Sequence, residues 1–276
     1  QAETGHSRLV PMHVDLASLA SVRAFAAQFR TRDLPPLDVL IGNAGLSPST
    51  VQERSADGYE LAFAVNHLGH FLLTHLLLDS LQPPARILLV SSGTHDATRA
   101  GGPMHSAAYV KAEWLAYPER YPDLPARESR AAGQAYAASK LCTVLFTYEL
   151  ARRLEASGLS APERPITANA FAPGLLAGTD LGRYQTGLMR LVWYHVLPVA
   201  SRLMGFGRTP REAGADLAYL ATDPALAGVT GAYFEGREQT KSSDESYNRE
   251  KAADLWQSSV ELCRLEADES PLLEER

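Results

Sequence analysis

Four short apolar runs, RLVPMHVDL (8–16), LDVLIGNAG (37–45), ARILLVSS (85–92) and ITANAFAPG (166–174), are separated by longer stretches patterned for helix. A parallel sheet joined by crossover helices is the arrangement that uses such an alternation, which makes the fold class α/β. The runs are apolar at consecutive positions, as strands covered on both faces require. After the first run a helix is expected to open at Ser18 or Ser21, with Val22, Phe25, Ala26 and Phe29 on one face. YELAFAVNHLGHFLLTHLLLDSL (59–81) is apolar almost all round and is predicted to lie buried against the sheet, and AYAASKLCTVLFTYELARRLEA (135–156) is a second long helix.

Several classes of function are excluded early. A formal net charge of −6 and the absence of a Lys/Arg-rich run argue against a nucleic-acid partner. Cys142 and Cys263 are too few and too far apart for a disulfide framework or a zinc site, which fits a reducing cytoplasm. The run VLIGNAGL is far shorter than the roughly 18 residues of a membrane span, so no span is expected. Residues 1–265 read as one domain, and the acidic, uncapped stretch 266–276 as a disordered tail.

Chemistry concentrates in AYAASK, where Tyr136 and Lys140 stand four residues apart and project from one helix face. A phenol of pKa near 10 is a poor acid–base catalyst at neutral pH, and a neighbouring ammonium would stabilise the phenolate and lower that pKa. Taken alone, the pair is also a common exposed helical pattern. His67 and His70 in NHLGH invite a metal, but a zinc site wants three or four ligands and no partner cluster is apparent. There is no G-x-S-x-G elbow for a serine hydrolase.

Tyr136-x-x-x-Lys140 occurs together with NAG at 43–45, VNHLGHF at 65–71, VSS at 90–92 and APG at 172–174. With these motifs in this order, the chain resembles the short-chain dehydrogenases/reductases from about Arg8 to about Leu262. The resemblance implies a Rossmann-like doubly wound parallel sheet. It also implies that Tyr136 is the general acid/base, that Lys140 lowers its pKa and bonds the nicotinamide ribose, that Ser92 holds the substrate oxygen, and that Asn66 keeps a water-bridged proton path to Lys140. Asn43, Ala44 and Gly45 would form the turn beside the adenosine, Asp15 and Leu16 would lie at the adenine, and Pro173, Gly174 and Thr179 would close over the nicotinamide end. The lesser alternatives are Ser92 as a strand-end cap, Asn66 as a helix-stabilising side chain and Pro173-Gly174 as a simple turn.

The family pattern begins with a strand, a T-G-x-x-x-G-x-G turn, a helix and a second strand, none of which stands before RLVPMHVDL. The glycine-rich turn would cradle the pyrophosphate, and the second strand carries the residue that separates NAD from NADP. The expectation is therefore an N-terminally incomplete fold lacking its first βαβ unit, with an exposed sheet interior. A remnant that folds differently and acts as a non-catalytic Rossmann-like binding protein is the rival.

Between Ser92 and Tyr136 lie 43 residues, and the insertion (93–133) carries Tyr109, Trp114, Tyr117 and Tyr121. It is expected to be a lid or substrate wall, a scaffold loop with its aromatics on the core being the other reading. The stretch 182–206, GRYQTGLMRLVWYHVLPVASRLMGF, adds large apolar side chains where the family's substrate helices lie. Together these suggest a bulky, apolar small-molecule substrate. VNHLGHFLLTHLLL, the insertion and the ending AADLWQSSVEL resemble the branch of retinol dehydrogenases and light-dependent protochlorophyllide reductases. The reductases carry a cysteine after Pro-Gly where Leu175 stands here, and Cys142 is as well explained as a small buried thiol. The reading is an oxidoreductase interconverting alcohol and carbonyl with NADP, NAD being the other candidate, as a cytoplasmic monomer or homodimer that holds no metal. Reduction of a carbon–carbon double bond is the enzymatic alternative.

Overall fold

A computed structural model describes residues 8–98, 107–120, 128–184, 187–203 and 207–273. Helix α1 (Leu19–Thr31) opens on Ser18, whose side chain accepts the Ser21 N–H, and it buries Val22 and Ala26 as its periodicity requires. Strand β1 (Leu37–Gly42) leads to a helical segment made of α2 (Leu61–Phe63), a π-helical turn (Ala64–Leu68) and α3 (Gly69–Leu77). That segment is long and apolar enough to cross a membrane, and here it is the core helix, buried along nearly its whole length. Strand β2 (Leu81–Val90), the short α4 (Ala112–Ala116), the long α5 (Glu128–Ala156) and β3 (Ile166–Ala172) follow. Beyond them come α6 (Gly187–Leu191), a second π turn (Val192–Val196), α7 (Leu197–Leu203), α8 (Pro210–Thr222), the hairpin β4 (Tyr233–Glu235) and β5 (Glu238–Thr240), and α9 (Arg249–Cys263).

Among the described residues the sheet runs β1-β2-β3-β4-β5, parallel except for the final hairpin. The alternation of strand side chains divides its core in two. Ile87, Leu89, Ile166 and Ala168 face the large cluster with α3 and α5, whereas Leu88, Val90, Phe171 and Phe234 face α8 through Leu220 and Ala221. A sheet covered on both faces explains why these strands read as unbroken apolar runs. Arg86, on the α8 face, donates to the carbonyls of Leu220 (2.8 Å) and Asp223 (2.7 Å) and so closes the end of α8.

Two expectations are corrected here. Residues 8–15 do not form a strand: they are irregular, with Leu9 and Val10 half exposed. A strand needs a neighbour's ladder, and β1, the outermost strand described, pairs only with β2 and leaves Ile41 40% exposed. The stretch after 265 is not a loose tail as far as residue 273. Glu266 and Glu269 form a capping box, the Ser270 hydroxyl bonds His75 Nδ1 at 2.7 Å, and Leu272 and Leu273 pack on the core. Its acidity is used locally, since Glu269 pairs with Arg23 at 3.0 Å.

Candidate active site

Parallel strands of this sheet end on one edge, and every motif singled out in the sequence follows a strand end or faces one. Ser91 and Ser92 follow β2, Asn43 to Gly45 follow β1, and Pro173 and Gly174 follow β3. Helix α5 brings Tyr136 and Lys140 to the same edge, both buried, at 8% and 4% exposure. Lys140 Nζ donates to the Val90 carbonyl at 2.9 Å, and Ser91 Oγ donates to the Lys140 carbonyl at 2.8 Å, so the end of β2 is stitched to α5. The Ser92 side chain hydrogen-bonds the Tyr136 phenol. It also accepts the Thr94 N–H at 3.3 Å, as the capping reading expects, alongside its contact with the phenol.

Asn66 sits in the π turn, where the wider helix carries it off the regular α-helical path. Both of its amide hydrogens are engaged. Oδ1 accepts the Leu46 N–H (2.9 Å), while Nδ2 donates to the Leu46 carbonyl (2.9 Å) and to Ser139 Oγ (2.9 Å). A Cβ built on Gly45 would lie 3.2 Å from Asn66 Oδ1 and 3.3 Å from Lys140 Nζ. Tyr136, Lys140, Ser92, Asn66 and Gly45 therefore form one cluster.

The electrostatics depart from expectation in one respect. Burial pushes the Tyr136 phenol up to about 12, and the opposing influence is the Ser92 hydrogen bond, not Lys140. The ammonium is turned to Val90, 6.0 Å from the Tyr136 ring centroid, and burial pulls its own pKa down to about 8.

Asn43 and Ala44 are exposed, and the Ala44 carbonyl is bonded to His70 Nε2 at 2.8 Å. Asp15 closes the turn before α1, its Oδ1 accepting the Ala17 N–H at 2.9 Å, and Leu16 packs against α3 where a Cβ on Gly69 would strike the Leu16 carbonyl oxygen at 2.6 Å. Gly174 has φ +81, and the Thr179 hydroxyl donates to the Leu176 carbonyl at 2.8 Å. None of Asp15, Leu16, Pro173, Gly174 and Thr179 makes a described contact with the tyrosine cluster; each stays where the resemblance put it along the chain. The excursion beyond Gly174 is pinned at its base, because Leu175 bridges Gly207 and Arg208 pairs with buried Asp216, which also holds Arg237 at 2.8 Å.

In the described part of the insertion, Tyr109 is 3% exposed and donates to Asp254 on α9 (2.5 Å), and Tyr117 packs edge-on against Tyr59. These two aromatics are used as the scaffold reading expects, as anchors on the core. Trp114 is half-buried on α4, and Tyr121 lies outside the described residues. His67 and His70 are core side chains, His67 Nε2 lying 2.8 Å from Ser259 Oγ. Cys142 is fully buried, as a packing thiol would be.

Three residues were missed in the sequence. Ser139 Oγ links Asn66 to the Tyr136 carbonyl (2.7 Å), and Ser91 ties Lys140. His95 Nε2 accepts the Ser243 N–H at 3.0 Å, which leaves the ring proton on Nδ1 to bond the Ser92 carbonyl at 2.7 Å. The only signal for them was proximity, in AASK, VSS and SSGTH.

A nicotinamide dinucleotide fits this edge on two counts. Lys140 gives one of its three ammonium protons to a described protein partner, so two buried donors remain for ribose hydroxyls. Gly45, without a side chain, leaves that ammonium reachable beside the exposed Asn43-Ala44 turn.

Residues 1–112 match the family model described as short chain dehydrogenase. Human retinol dehydrogenase 13 is 38% identical over 97% of this chain and 72% of its own length, and human polyprenol dehydrogenase is 35% identical over 94% and 71%. Among solved structures, a blue fluorescent protein from a metagenomic library in complex with NADPH superposes with a TM-score of 0.52 at 27% identity, over 81% of this chain and 74% of that one.

Proposed function

From the premise that the chain belongs to the short-chain dehydrogenases, in their retinol dehydrogenase-like branch, we propose that it is an NADP(H)-dependent enzyme interconverting alcohol and carbonyl on a bulky apolar molecule. The observation that carries this reading is the convergence of Tyr136, Ser92, Lys140 and Asn66 at one strand-end edge. The named activities of the two relatives, on retinol and polyprenol, support a long apolar substrate, and the NADPH in the solved neighbour supports the cofactor.

In this reading, Lys140 and the 43–45 turn hold the dinucleotide, with Asp15 and Leu16 towards the adenine and Pro173, Gly174 and Thr179 towards the nicotinamide. The bound cofactor supplies or accepts the hydride. Tyr136 Oη exchanges the proton with the substrate oxygen, and Ser92 orients that oxygen. His95 fixes Ser92 from behind through its carbonyl. With its pKa near 12 the phenol is protonated at neutral pH, so Tyr136 stands ready as a general acid and the carbonyl-to-alcohol direction needs no prior deprotonation. A non-catalytic binding protein has no use for this set of groups in one place.

Replacing Tyr136 with Phe tests the role. Reduction of a long-chain apolar aldehyde with NADPH is expected to fall on the order of 10²- to 10⁴-fold, while NADPH affinity by fluorescence titration stays unchanged. Turnover that survives in Tyr136→Phe refutes proton transfer by this phenol.

A further inference from the structure

Of the two π turns, the first carries Asn66 into the candidate site. The second, Val192–Val196, joins α6 to α7 and carries Trp193 towards the loop that follows β3. A π turn takes in one extra residue and re-aims the side chains on it, which is why such turns recur at functional sites. Here the re-aimed group is an indole, whose Nε1–H donates to the Thr179 carbonyl at 2.9 Å.

That loop leaves the sheet beside the tyrosine cluster. Strands β2 and β3 pair with Val90 opposite Phe171, and the Ser91 N–H donates to the Phe171 carbonyl at 2.7 Å, so Ser92 and Pro173 emerge side by side. Gly174 (φ +81) and Gly178 (φ +79) give the loop a backbone that local sterics do not hold, because glycine reaches many other conformations at little cost. The Thr179 hydroxyl is spent within the loop, on the Leu176 carbonyl. The loop's shape therefore depends on outside ties, and among the described residues the helical stretch 187–203 supplies it one hydrogen bond, from Trp193. Packing follows the same line, since a Cβ on Gly178 would lie 3.2 Å from Pro198, five residues beyond Trp193.

The helix is a firm anchor for that tie. Ser201 is 2% exposed, and its carbonyl accepts the Gly207 N–H at 3.1 Å. Leu175 bridges Gly207, the Arg208 N–H donates to the Leu175 carbonyl at 3.0 Å, and the Arg208 guanidinium pairs with Asp216 on α8. The start of the loop is thus fixed to α8 and its far end to Trp193. A phenylalanine would fill much of the same space without a donor, so the residue type matters through its N–H.

We propose that Trp193 is a positioning residue for the nicotinamide half of the cofactor, its indole N–H holding the Thr179 segment where that half binds. The proposal rests on the reading above, in which Pro173, Gly174 and Thr179 lie towards the nicotinamide. Trp193 acts through the backbone of Thr179 and not on the reacting atoms.

The experiment is calorimetric titration with two ligands: NADPH, and adenosine 2′,5′-bisphosphate, which has the adenosine end and no nicotinamide. Trp193→Phe should raise the Kd for NADPH about fivefold, the effect of one lost neutral hydrogen bond, and leave that of the bisphosphate within about twofold of wild type. Gly178→Ala sets a methyl against Pro198 on a left-handed backbone, so it should push loop and helix apart and give the same selective loss, a second route if Trp193→Phe does not fold. Wild-type affinity for NADPH in a folded Trp193→Phe overturns the proposal, as does equal weakening of both ligands, which a general loosening of the structure would give. Wild-type protein that does not bind NADPH at all overturns the dinucleotide reading itself and the proposal with it, and that outcome is distinct from the other two.

Discussion

Gly45 lacks a side chain where two others already claim the space. An added methyl would stand 3.2 Å from Asn66 Oδ1 and 3.3 Å from Lys140 Nζ, tighter than ordinary contact, and the flexible lysine tip is the atom best able to move. Gly45→Ala is therefore expected to leave stability nearly unchanged while lowering kcat/KM roughly tenfold to a hundredfold, because the ammonium is displaced from its donor position. Thermal melts and steady-state kinetics on the same sample check both halves. At this scale the site was legible wherever a short motif carries it: Tyr136 and Lys140 share a helix face, and Ser92 and Asn66 stand in contiguous motifs. Ser139, Ser91 and His95 were not legible as site residues. Their partners are Asn66, the Lys140 carbonyl and the Ser243 N–H, 73, 49 and 148 residues away, and such hydrogen bonds leave no trace in spacing.

Along the core helical segment three histidines lie fully buried at 67, 70 and 75. Burial holds their pKa values down at about 3, 4 and 3, so all three are neutral in the folded state near pH 7. Unfolded, each binds a proton below about 6.5; the unfolded state thus takes up more protons as pH falls, and stability falls with it. At pH 5 the loss is about 2 kcal/mol per histidine. Glu60 works in the opposite sense, since burial raises it to about 7 and its protonation restores roughly 2 kcal/mol over the same window. A net fall of ~4 kcal/mol between pH 7 and pH 5 is expected from urea unfolding, and a flat profile would disprove it. Elements with strong periodicity, such as α1, the 61–77 segment and the 135–156 stretch of α5, could be read from the sequence because burial itself sets the pattern. The aromatics of the insertion could not: Tyr109 and Tyr117 are equally suited to a substrate wall and to a scaffold, and only the placing of Asp254 and Tyr59 decides.

Over the whole molecule, the sheet interior was legible and its margins were not. RLVPMHVDL has strand composition, but pairing is a property of neighbours, and none is offered beside β1 among the described residues. The acidic ending looked unstructured because acidity is usually solvated; here Arg23 gathers the carbonyls of Cys263 and Arg264 together with Glu269, while His75 holds Ser270. Removing residues 264–276 is expected to cost several kcal/mol of stability, because the core loses the packing of Leu265, Leu272 and Leu273 and the buried His75 ring is uncovered. Thermal melting of the shortened chain checks this, and an unchanged midpoint would count against it. That clasp also sets an order of events at the ribosome. The partners of His67 and His75 lie 192 and 195 residues further along the chain, so the side of the core helical segment that faces α9 and Ser270 stays uncovered until that later stretch has been synthesised, an interval in which a chaperone would find it exposed.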